Sequence, residues 1–393
     1  MKILVLNCGS STLKFQLIET HGATVQRKLA RGVVDRIGGE STFKFEVIGD
    51  PAQEGKVAAD NHEAATVKVI EWLNSNSRLG SVEAVGHRVV HGGDKFESAV
   101  RIDESVIKIL DSLCDLAPLH NPSSVRGIHA ARKVLGVAVP MVAAFDTSFH
   151  QTIPERAAVY ALPYELATRH NIRRYGFHGL AHQYSATRYG ELAGKAPDQI
   201  NIVTLHLGNG CSACAIRNGM SIDTSMGFTP LEGLVMGTRS GDLDPALVAH
   251  LARLEGIDET ETLLNSRSGL LGVSGISSDM RELIAVYEKN PRARLAIDVF
   301  CYRARKYLGA YLAALEGADA VVFSGGIGEH LPFIRKEICG GMEWCGLLLD
   351  HAQNDSVVGR EGRISAAEAR IQVFVIPSDE EAVIARATAS LLQ

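Results

Sequence analysis

A chain of 393 residues is too long for one ordinary hydrophobic core, and its length predicts about two domains. A hydrophobic fraction of 46%, a charged fraction of 22% and a net charge of −5 exclude a strongly basic protein that binds nucleic acid or an anionic membrane. The chain turns polar at Asn7, so we expect neither a signal peptide nor a membrane span. Seven scattered cysteines predict reduced thiols and a cytoplasmic location.

The first part of the chain alternates apolar strands with helical patterns, which predicts an α/β fold. Strands are expected at 3–7, 13–18, 42–48 and 140–145. Helices are expected near 62–74 and 104–116, and Gly136 is expected to follow a third helix. Asp146 then directly follows a buried strand, where α/β proteins place their ligand sites.

Residues 150–164 are irregular and contain prolines, and we expect the chain to pass between its two domains there. We assign residues 1–148 to the first domain and 149–381 to the second, and return the closing residues, about 382–393, to the first. The second part predicts strands at 202–206, 213–217, 321–323 and 373–376. Helices are expected at 293–315 and 380–392, with a glycine turn at 324–329.

Two strand–turn–strand segments, 3–17 and 202–216, look like copies of one device. Aligned on Gly9 and Gly208, which lie 199 positions apart, they also match at an isoleucine and a leucine. Tight glycine turns expose backbone N–H groups that can surround phosphate oxygens. The repeat indicates a fold doubled about a polyphosphate, and chance similarity of two apolar runs is the alternative.

Four polar positions framed by glycines or strand ends could carry chemistry. Arg88 could bind a carboxylate or phosphate through two N–H groups, or could pair with a surface acid. Arg239 lies between glycines beside an acidic residue, and a solvated loop arginine is the alternative. Asp146 could orient a nucleophile or hold a metal, or could cap a turn. His178 lies between glycines, and a structural histidine is the alternative.

Phosphoryl transfer needs such cations and N–H donors around the transferred group, together with a divalent metal. The chain contains no GxxxxGK[ST] motif and no protein-kinase motif set, which excludes both of those enzyme classes. The single CxxC, Cys211 to Cys214, has no second pair and falls in an expected strand, so we interpret it as packing.

These motifs resemble the acetate kinase family of the actin/Hsp70/sugar-kinase superfamily over essentially the whole chain. The matching segments are 7–14, 86–93, 115–122, 145–154, 175–179, 206–210, 229–233, 237–244, 277–281 and 326–329. The chain departs from the common pattern at Cys8, Thr12, Ser378, Asp379 and His330. These departures leave the role of Asp379 at magnesium and the fine nucleotide preference open.

The resemblance implies a duplicated actin-like ATPase (ribonuclease H-like) α/β fold, with an active-site cleft between two domains. It implies reversible, direct in-line phosphoryl transfer from ATP to acetate, which gives acetyl phosphate and ADP, and a homodimer formed through the second half. Propionate is the alternative acceptor, because an apolar pocket separates substrates differing by one methylene by only about 1–3 kcal/mol. A chaperone- or filament-like ATPase on the same fold is the alternative from another class.

The resemblance also implies roles for individual residues. Mg²⁺, or alternatively Mn²⁺, would be held by Asn7 and Glu380, and the catalytic residues would be Asp146, His178 and Arg239. Acetate would be bound by Arg88, Val90, Leu119, His120, Phe177 and Pro230. The ATP phosphates would lie at Lys14, His206, Leu207, Gly208, Asn209 and Gly210. The adenosine would lie at Asp279, Met280, Arg281, Gly326, Ile327, Gly328, Glu329 and His330.

Overall fold

A computed structural model describes residues 1–9, 11–115, 117 and 121–393 of the chain. The chain forms two compact units. Unit 1 comprises Met1–Phe149 together with Asp379–Gln393, and unit 2 comprises His150–Ser378. Two of the residues expected to bind acetate, Leu119 and His120, lie outside the described residues.

The strands, in chain order, are β1 (Lys2–Cys8), β2 (Leu13–His21), β3 (Thr24–Asp35), β4 (Thr42–Val47), β5 (Gln53–Lys56), β6 (Ala84–Val89), β7 (Val100–Arg101), β8 (Met141–Phe145), β9 (Ile202–Leu207), β10 (Cys211–Arg217), β11 (Met220–Thr224), β12 (Ala320–Ser324), β13 (Gly362–Arg363) and β14 (Gln372–Val375). The helices are α1 (His62–Ser75), α2 (Glu104–Ser112), α3 (Asn121–Leu135), α4 (Glu155–Ala158), α5 (Tyr164–Arg169), α6 (Gly179–Ala193), α7 (Pro245–Glu255), α8 (Ile257–Ser266), α9 (Gly269–Ser274), α10 (Met280–Ala285), α11 (Pro291–Leu315), α12 (Gly325–His330), α13 (Pro332–Cys339), α14 (His351–Ser356) and α15 (Glu380–Leu391). Short 3₁₀ turns cover Leu113–Asp115, Ser148–Thr152, Pro197–Gln199 and Glu343–Cys345.

Each unit is built on one mixed sheet. The strand order in unit 1 is β5-β4-β3-β2-β1-β6-β8-β7, and in unit 2 it is β11-β10-β9-β12-β14-β13. In both sheets a hairpin comes first and two parallel strands follow, so β3-β2-β1-β6-β8 has the same order and directions as β11-β10-β9-β12-β14. This agreement confirms the duplicated α/β fold expected from the repeat.

The sequence pattern of each strand follows from its place in the sheet. Central parallel strands are covered on both faces, which explains why β8 and β12 are apolar at nearly every position and buried throughout. One face of strand β2 is more exposed than the other, so buried Leu13 and Phe15 alternate along this strand with exposed Lys14. Helix α15 packs closely on β6 at Gly86, where an added Cβ would lie only 2.6 Å from Ile384 Cγ2.

Two helical predictions differ from the structure. The α-helical part of 104–116 ends at Ser112 and tightens into a 3₁₀ turn, where Asn121 Nδ2 donates to the Leu113 carbonyl at 3.3 Å. The long helix begins at Pro291 rather than 293, because the Asn290 side chain accepts from the N–H groups of Arg292 and Ala293.

The prediction of a glycine turn at 324–329 was wrong. Residues Gly325–His330 form helix α12 instead. The carboxylate of Glu329 accepts from the Gly325 N–H at 2.7 Å, which satisfies a donor at the start of this helix. In the part of the chain that the structure describes, no helix is long and apolar enough to cross a membrane.

Candidate active site

Unit 1 gathers four polar side chains at the carboxyl ends of its parallel strands, a group that we call the charged centre: Asn7, Arg88, Asp146 and Glu380. Asn7 lies on β1, Arg88 lies on β6, Asp146 follows β8, and Glu380 begins α15. The Asp146 N–H donates to the Val89 carbonyl at 3.0 Å and continues the sheet pairing by one residue. Because β1, β6 and β8 are neighbours, their ends place these four side chains together.

Arg88 contacts each of the other three residues of the charged centre. Its Nε donates to Asp146 Oδ1 at 2.9 Å and its Nη2 donates to Asp146 Oδ2 at 2.6 Å, a bidentate pair. Nη1 lies 3.4 Å from Asn7 Oδ1, and Nε lies 3.5 Å from Glu380 Oε2. Asp146 is only 1% exposed, so this ion pair is largely shielded from water.

Burial acts on the charged centre together with its own charges. Burial alone would lower the pKa of Arg88, but Asp146 and Glu380 raise it well above its usual range. Burial raises the pKa of Glu380, against the lowering effect of Arg88. The guanidinium is therefore held as a cation, and Glu380 becomes easier to protonate than an ordinary glutamate.

Neighbouring charged residues have separate partners. Asp379 pairs with Lys28 at 2.8 Å, and its Oδ1 accepts from the Ala382 N–H at 3.3 Å as the N-cap of α15. Lys14 lies opposite Asn7 in the β1–β2 pairing. It lines a cavity of about 250 Å³ with Glu381 and other residues of β2, β3 and β4.

Unit 2 has a second group around the turn that joins β9 to β10, which we call the loop centre: His178, His206, Gly208 to Gly210, Ser212 and Arg239. The Gly208 N–H bonds the Gly210 carbonyl at 3.1 Å and closes the turn. A Cβ built on Gly210 would lie 3.4 Å from His178 Cε1 and 3.7 Å from Arg239 Nη1. The side chains of His178 and Arg239 therefore both lie against this turn.

The backbone holds His178 in an uncommon conformation. Its φ of 56° is left-handed, and it occupies the N-cap position of α6. A non-glycine residue held there costs free energy, and such residues cluster at functional sites. His178 Nδ1 lies 2.9 Å from Ser212 Oγ, and the His206 ring lies 4.9 Å away between centroids.

Arg239 is positioned by main chain rather than by a carboxylate. Its Nη1 donates to the Pro230 carbonyl at 3.0 Å. The segment that carries Pro230 is itself anchored, because Glu232 accepts from Arg174 Nη2 at 2.6 Å and from the Tyr160 hydroxyl. Burial lowers the pKa of Arg239. Its positive charge is thus left largely uncompensated beside the glycine turn, as an anion site requires.

A cavity of about 610 Å³ borders the same turn in unit 2. Its lining includes most of the residues expected to bind adenosine: Asp279, Met280, Arg281, Gly326, Ile327 and His330. Gly208 and Asn209 also line it, so the cavity reaches the glycine turn. Ser278 and Leu331 line it too, although the sequence analysis did not single them out.

Other expected site residues lie outside this cavity. Glu329 Oε1 accepts from the N–H groups of Gly325 and Ser378, which is a structural contact. Gly328 packs against Phe323, and the Leu207 side chain is fully buried in the core. Val90 lies in unit 1, whereas Phe177 and Pro230 lie in unit 2.

Ser212, His182 and Thr204 are polar residues that the sequence analysis missed. All three side chains are fully buried, His182 is hydrogen-bonded to both Thr204 and Ser212, and Ser212 also contacts His178. A signal was present, because hydroxyl residues inside apolar strands and a histidine four positions after His178 need buried partners. The CxxC thiols pack as expected: burial raises the pKa of Cys211 to about 12.

Comparison with known proteins gives matches over the full length of the chain. A model of the acetokinase family matches residues 2–386. The acetate kinase of Chloroherpeton thalassium is 51% identical, covering 99% of this chain and 98% of that protein. The acetate kinase of Solibacter usitatus is 52% identical, covering 99% and 97%.

Solved structures match equally completely. The acetate kinase of Porphyromonas gingivalis is 41% identical, with a TM-score of 0.92 and full coverage of both chains. A propionate kinase of Francisella tularensis is 38% identical, with a TM-score of 0.93 and 99% coverage of both chains. These likenesses extend over both units and both centres.

Proposed function

Since the chain belongs to the acetokinase family, we propose that it transfers the γ-phosphoryl group of ATP to acetate, reversibly, giving acetyl phosphate and ADP. The observation that carries this proposal is the identity of about half of all residues with acetate kinases over 99% of the chain. An acetate oxygen forms the new bond to phosphorus. The bond to the β-phosphate oxygen breaks, and ADP leaves with the electron pair.

The charged centre supplies a site for the acceptor. Asp146 occupies the Nε/Nη2 edge of Arg88, and a second carboxylate would bind at the Nη1/Nη2 edge, whose Nη1 makes a 3.4 Å contact with Asn7 Oδ1. Acetate is already a nucleophile at neutral pH, so Asp146 need not remove a proton from it. Asp146 instead holds the guanidinium in one orientation. Val90, Leu119, His120, Phe177 and Pro230 are proposed to surround the acetate.

The loop centre supplies stabilisation for the transferred group. Phosphoryl transfer spreads charge over equatorial oxygens, and cations and N–H donors stabilise that charge. Arg239 and His178 lie against the glycine turn, where such donors are available. His206 to Gly210 and Lys14 are proposed to bind the phosphates, and the 610 Å³ cavity to bind the adenosine.

The charged centre also fits a magnesium ion. Mg²⁺ prefers oxygen ligands and binds through one or two carboxylates together with phosphates and waters. Asn7 Oδ1 and the carboxylate of Glu380 are oxygen donors around the same guanidinium, and they would hold Mg²⁺ or Mn²⁺. The bound ion would neutralise phosphate charge. Asp379 is engaged by Lys28 and by its cap, which favours a structural role for it.

An assay for acyl phosphate, trapped as a hydroxamate, tests the proposal. Purified protein with ATP, Mg²⁺ and acetate should give hydroxamate in proportion to the ADP released, and no hydroxamate without acetate. Release of ADP that is independent of acetate would contradict the proposal and support the ATPase alternative.

Propionate is the second acceptor to test, because one structural neighbour is a propionate kinase. Steady-state kinetics with acetate, propionate and butyrate should give the highest kcat/KM for acetate. The ratio to propionate should be about 10–200, the value of one methylene in an apolar pocket. A clear preference for butyrate would overturn the choice of acetate.

We further propose a cytoplasmic homodimer. All seven cysteines are free thiols, as suits a reducing compartment. Helix α7 buries none of its residues, and Leu254 near its end and Ile257 at the start of α8 are 65% and 76% exposed, which supports an apolar contact in unit 2. Light scattering of the eluting protein should give twice the mass of 42.3 kDa, and a monomer mass would contradict the proposal.

A further inference from the structure

A chain of hydrogen bonds leads from the core of unit 2 to His178. Thr204 Oγ1 lies 2.7 Å from His182 Nδ1, and His182 Nε2 lies 2.7 Å from Ser212 Oγ. Ser212 Oγ in turn lies 2.9 Å from His178 Nδ1. We call these four side chains the relay; Thr204, His182 and Ser212 have no exposed surface.

With a neutral His182 ring, proton counting allows two arrangements, which run along the relay in opposite directions. We take the arrangement in which the Thr204 hydroxyl donates to the Cys214 carbonyl at 3.5 Å and its oxygen accepts from His182 Nδ1–H. Burial, and then His150 and His206, lower the pKa of His182 well below its ordinary value, so its ring is neutral and carries one proton. His182 Nε2 must therefore accept, and Ser212 donates to it.

The same counting applies at the end of the relay. Ser212 has one hydroxyl proton, which is given to His182, so its oxygen is an acceptor towards His178. His178 Nδ1 must then carry a proton. Its Nε2 edge faces the glycine turn, because a Cβ on Gly210 would lie 3.5 Å from His178 Nε2.

We propose that the relay fixes a proton on Nδ1 of His178, so that His178 donates to the phosphoryl group only as an imidazolium protonated on Nε2. This inference rests on the proposed function for its kinetic consequence. Thr204 and Ser212 are positioning residues here, since they act through the tautomer of His178 and not by contact with the reacting atoms.

The charged and titratable groups around His178 decide when it is protonated. These groups include His206, whose ring is 4.9 Å away, and Arg239, which lies against the same turn. His182 is reached through Ser212, and Cys211 stays a neutral thiol because burial raises its pKa to about 12. His150 lies behind His182, at 5.8 Å between ring centroids. Arg239 disfavours the imidazolium, whereas a bound polyphosphate favours it.

Thr204→Val tests the direction of the relay with almost no change in shape. Without the hydroxyl, a proton on His182 Nδ1 would have no acceptor, so it moves to Nε2 and donates to Ser212. Ser212 then donates to His178 Nδ1, and neutral His178 carries its proton on Nε2. Thr204→Ser keeps the hydroxyl and serves as the matched control.

The first measurement is the pH profile of kcat. For the unmodified protein and Thr204→Ser, we expect kcat to fall about tenfold per pH unit above the pKa of His178. In Thr204→Val the neutral ring can still donate from Nε2, so this alkaline fall should flatten. Identical alkaline limbs in all three proteins would overturn the proposal.

The second measurement does not depend on activity. Nitrogen-15 NMR of histidine-labelled, nucleotide-free protein at alkaline pH distinguishes Nδ1–H from Nε2–H tautomers, with His178→Gln used to assign the signal. We expect Nδ1–H for neutral His178 in the unmodified protein and in Thr204→Ser, and Nε2–H in Thr204→Val. An Nε2–H tautomer in the unmodified protein would refute the relay whether or not the protein phosphorylates acetate, and whether or not the variants fold.

Discussion

The two units share a sheet topology but differ in the chemistry at the ends of their strands. In unit 1, Arg88 is bound bidentately by Asp146 and approached by Glu380, so opposite charges face each other. In unit 2, hydroxyl groups on β9 and β10, the strands that match β1 and β2, bond the neutral ring of His182, and Arg239 is held by a carbonyl group. The repeated backbone therefore supplies positions, and the side chains decide what each position does.

The turns that open the two sheets show the same divergence on a smaller scale. The Gly9 N–H bonds the Thr12 carbonyl at 2.8 Å, whereas the Gly208 N–H bonds the Gly210 carbonyl at 3.1 Å across a turn that is one residue shorter. A Cβ on Gly9 would lie 2.7 Å from Thr12 Oγ1, whereas one on Gly210 would face His178 and Arg239. The comparison indicates a glycine turn in unit 2 that meets functional side chains directly.

The largest effect should come from the uncompensated cation of unit 2. Arg239→Ala should lower kcat by roughly 10³–10⁵, as for other arginines that stabilise phosphoryl transfer. ATP binding, measured by calorimetry, should survive, because the adenosine cavity does not include Arg239. Arg294→Ala, at an exposed ion pair of the same unit, is the control and should be almost neutral. Near-normal turnover of Arg239→Ala would contradict the role of Arg239 in stabilising the transferred phosphoryl group.

The compensated cation of unit 1 should matter for stability as well as for activity. Asp146→Ala leaves Arg88 without its bidentate partner, and should lower the free energy of unfolding in urea by about 3 kcal/mol, the low end for a broken buried pair because Glu380 remains. Glu46→Gln, at the exposed pair with Arg31, should cost less than about 1 kcal/mol. Equal effects of the two substitutions would show that the charged centre is not specially stabilised.

The packing of α15 on the unit 1 sheet gives a smaller effect. Gly86→Ala would place a methyl group 2.6 Å from Ile384 Cγ2 and 2.7 Å from Thr388 Oγ1, and should destabilise by about 1–3 kcal/mol. Gly309→Ala in α11 meets nothing within 4 Å and should instead stabilise by about 1 kcal/mol. Urea denaturation of both variants measures these opposite signs, and a neutral Gly86→Ala would mean that α15 can shift.

Acidification should give the smallest effect, again in unit 1. Burial lowers the pKa of His87 to about 3, and its Nε2 has no partner among the described residues. Between pH 3 and 6.5 the unfolded chain therefore binds a proton that the folded chain does not, so stability falls as the pH falls. From pH 7.5 to 5.5 this histidine should cost about 1.4 kcal/mol. His87→Leu should reduce the measured loss in urea denaturation by that amount, and an unchanged loss would contradict the assignment.

Many of the strands and helices, and the duplication of the fold, could be predicted from local sequence patterns. Alternation and buried apolar runs predicted the strands at 3–7, 140–145 and 321–323, and the offset between Gly9 and Gly208 predicted the duplication. Helix 62–74 was placed to within one residue, since its apolar spacing is a local signal. The prediction of a glycine turn at 324–329 was wrong, because these residues form a helix whose first N–H group, that of Gly325, donates to the carboxylate of Glu329.

Contacts between residues far apart in the sequence could not be predicted from any local pattern. Arg88 was recognised as a binding candidate, but its bidentate pairing with Asp146, 58 residues away, depends on the order of β6 and β8. Thr204, His182 and Ser212 carry no motif, and they meet only because α6 packs on β9 beside β10. The sequence left the role of Asp379 at magnesium open, and its position at the start of α15 makes its side chain an N-cap.

The amino-acid sequence by itself determined the class of fold, its doubling and the residue types available to bind phosphate and carboxylate, because periodicity and glycine turns are short-range properties of the chain. Only the tertiary structure decided which cation is paired, which is left uncompensated, and on which nitrogen His178 is expected to hold its proton. Those properties depend on distances and burial between residues far apart in the chain, and they exist only once the sheets have formed.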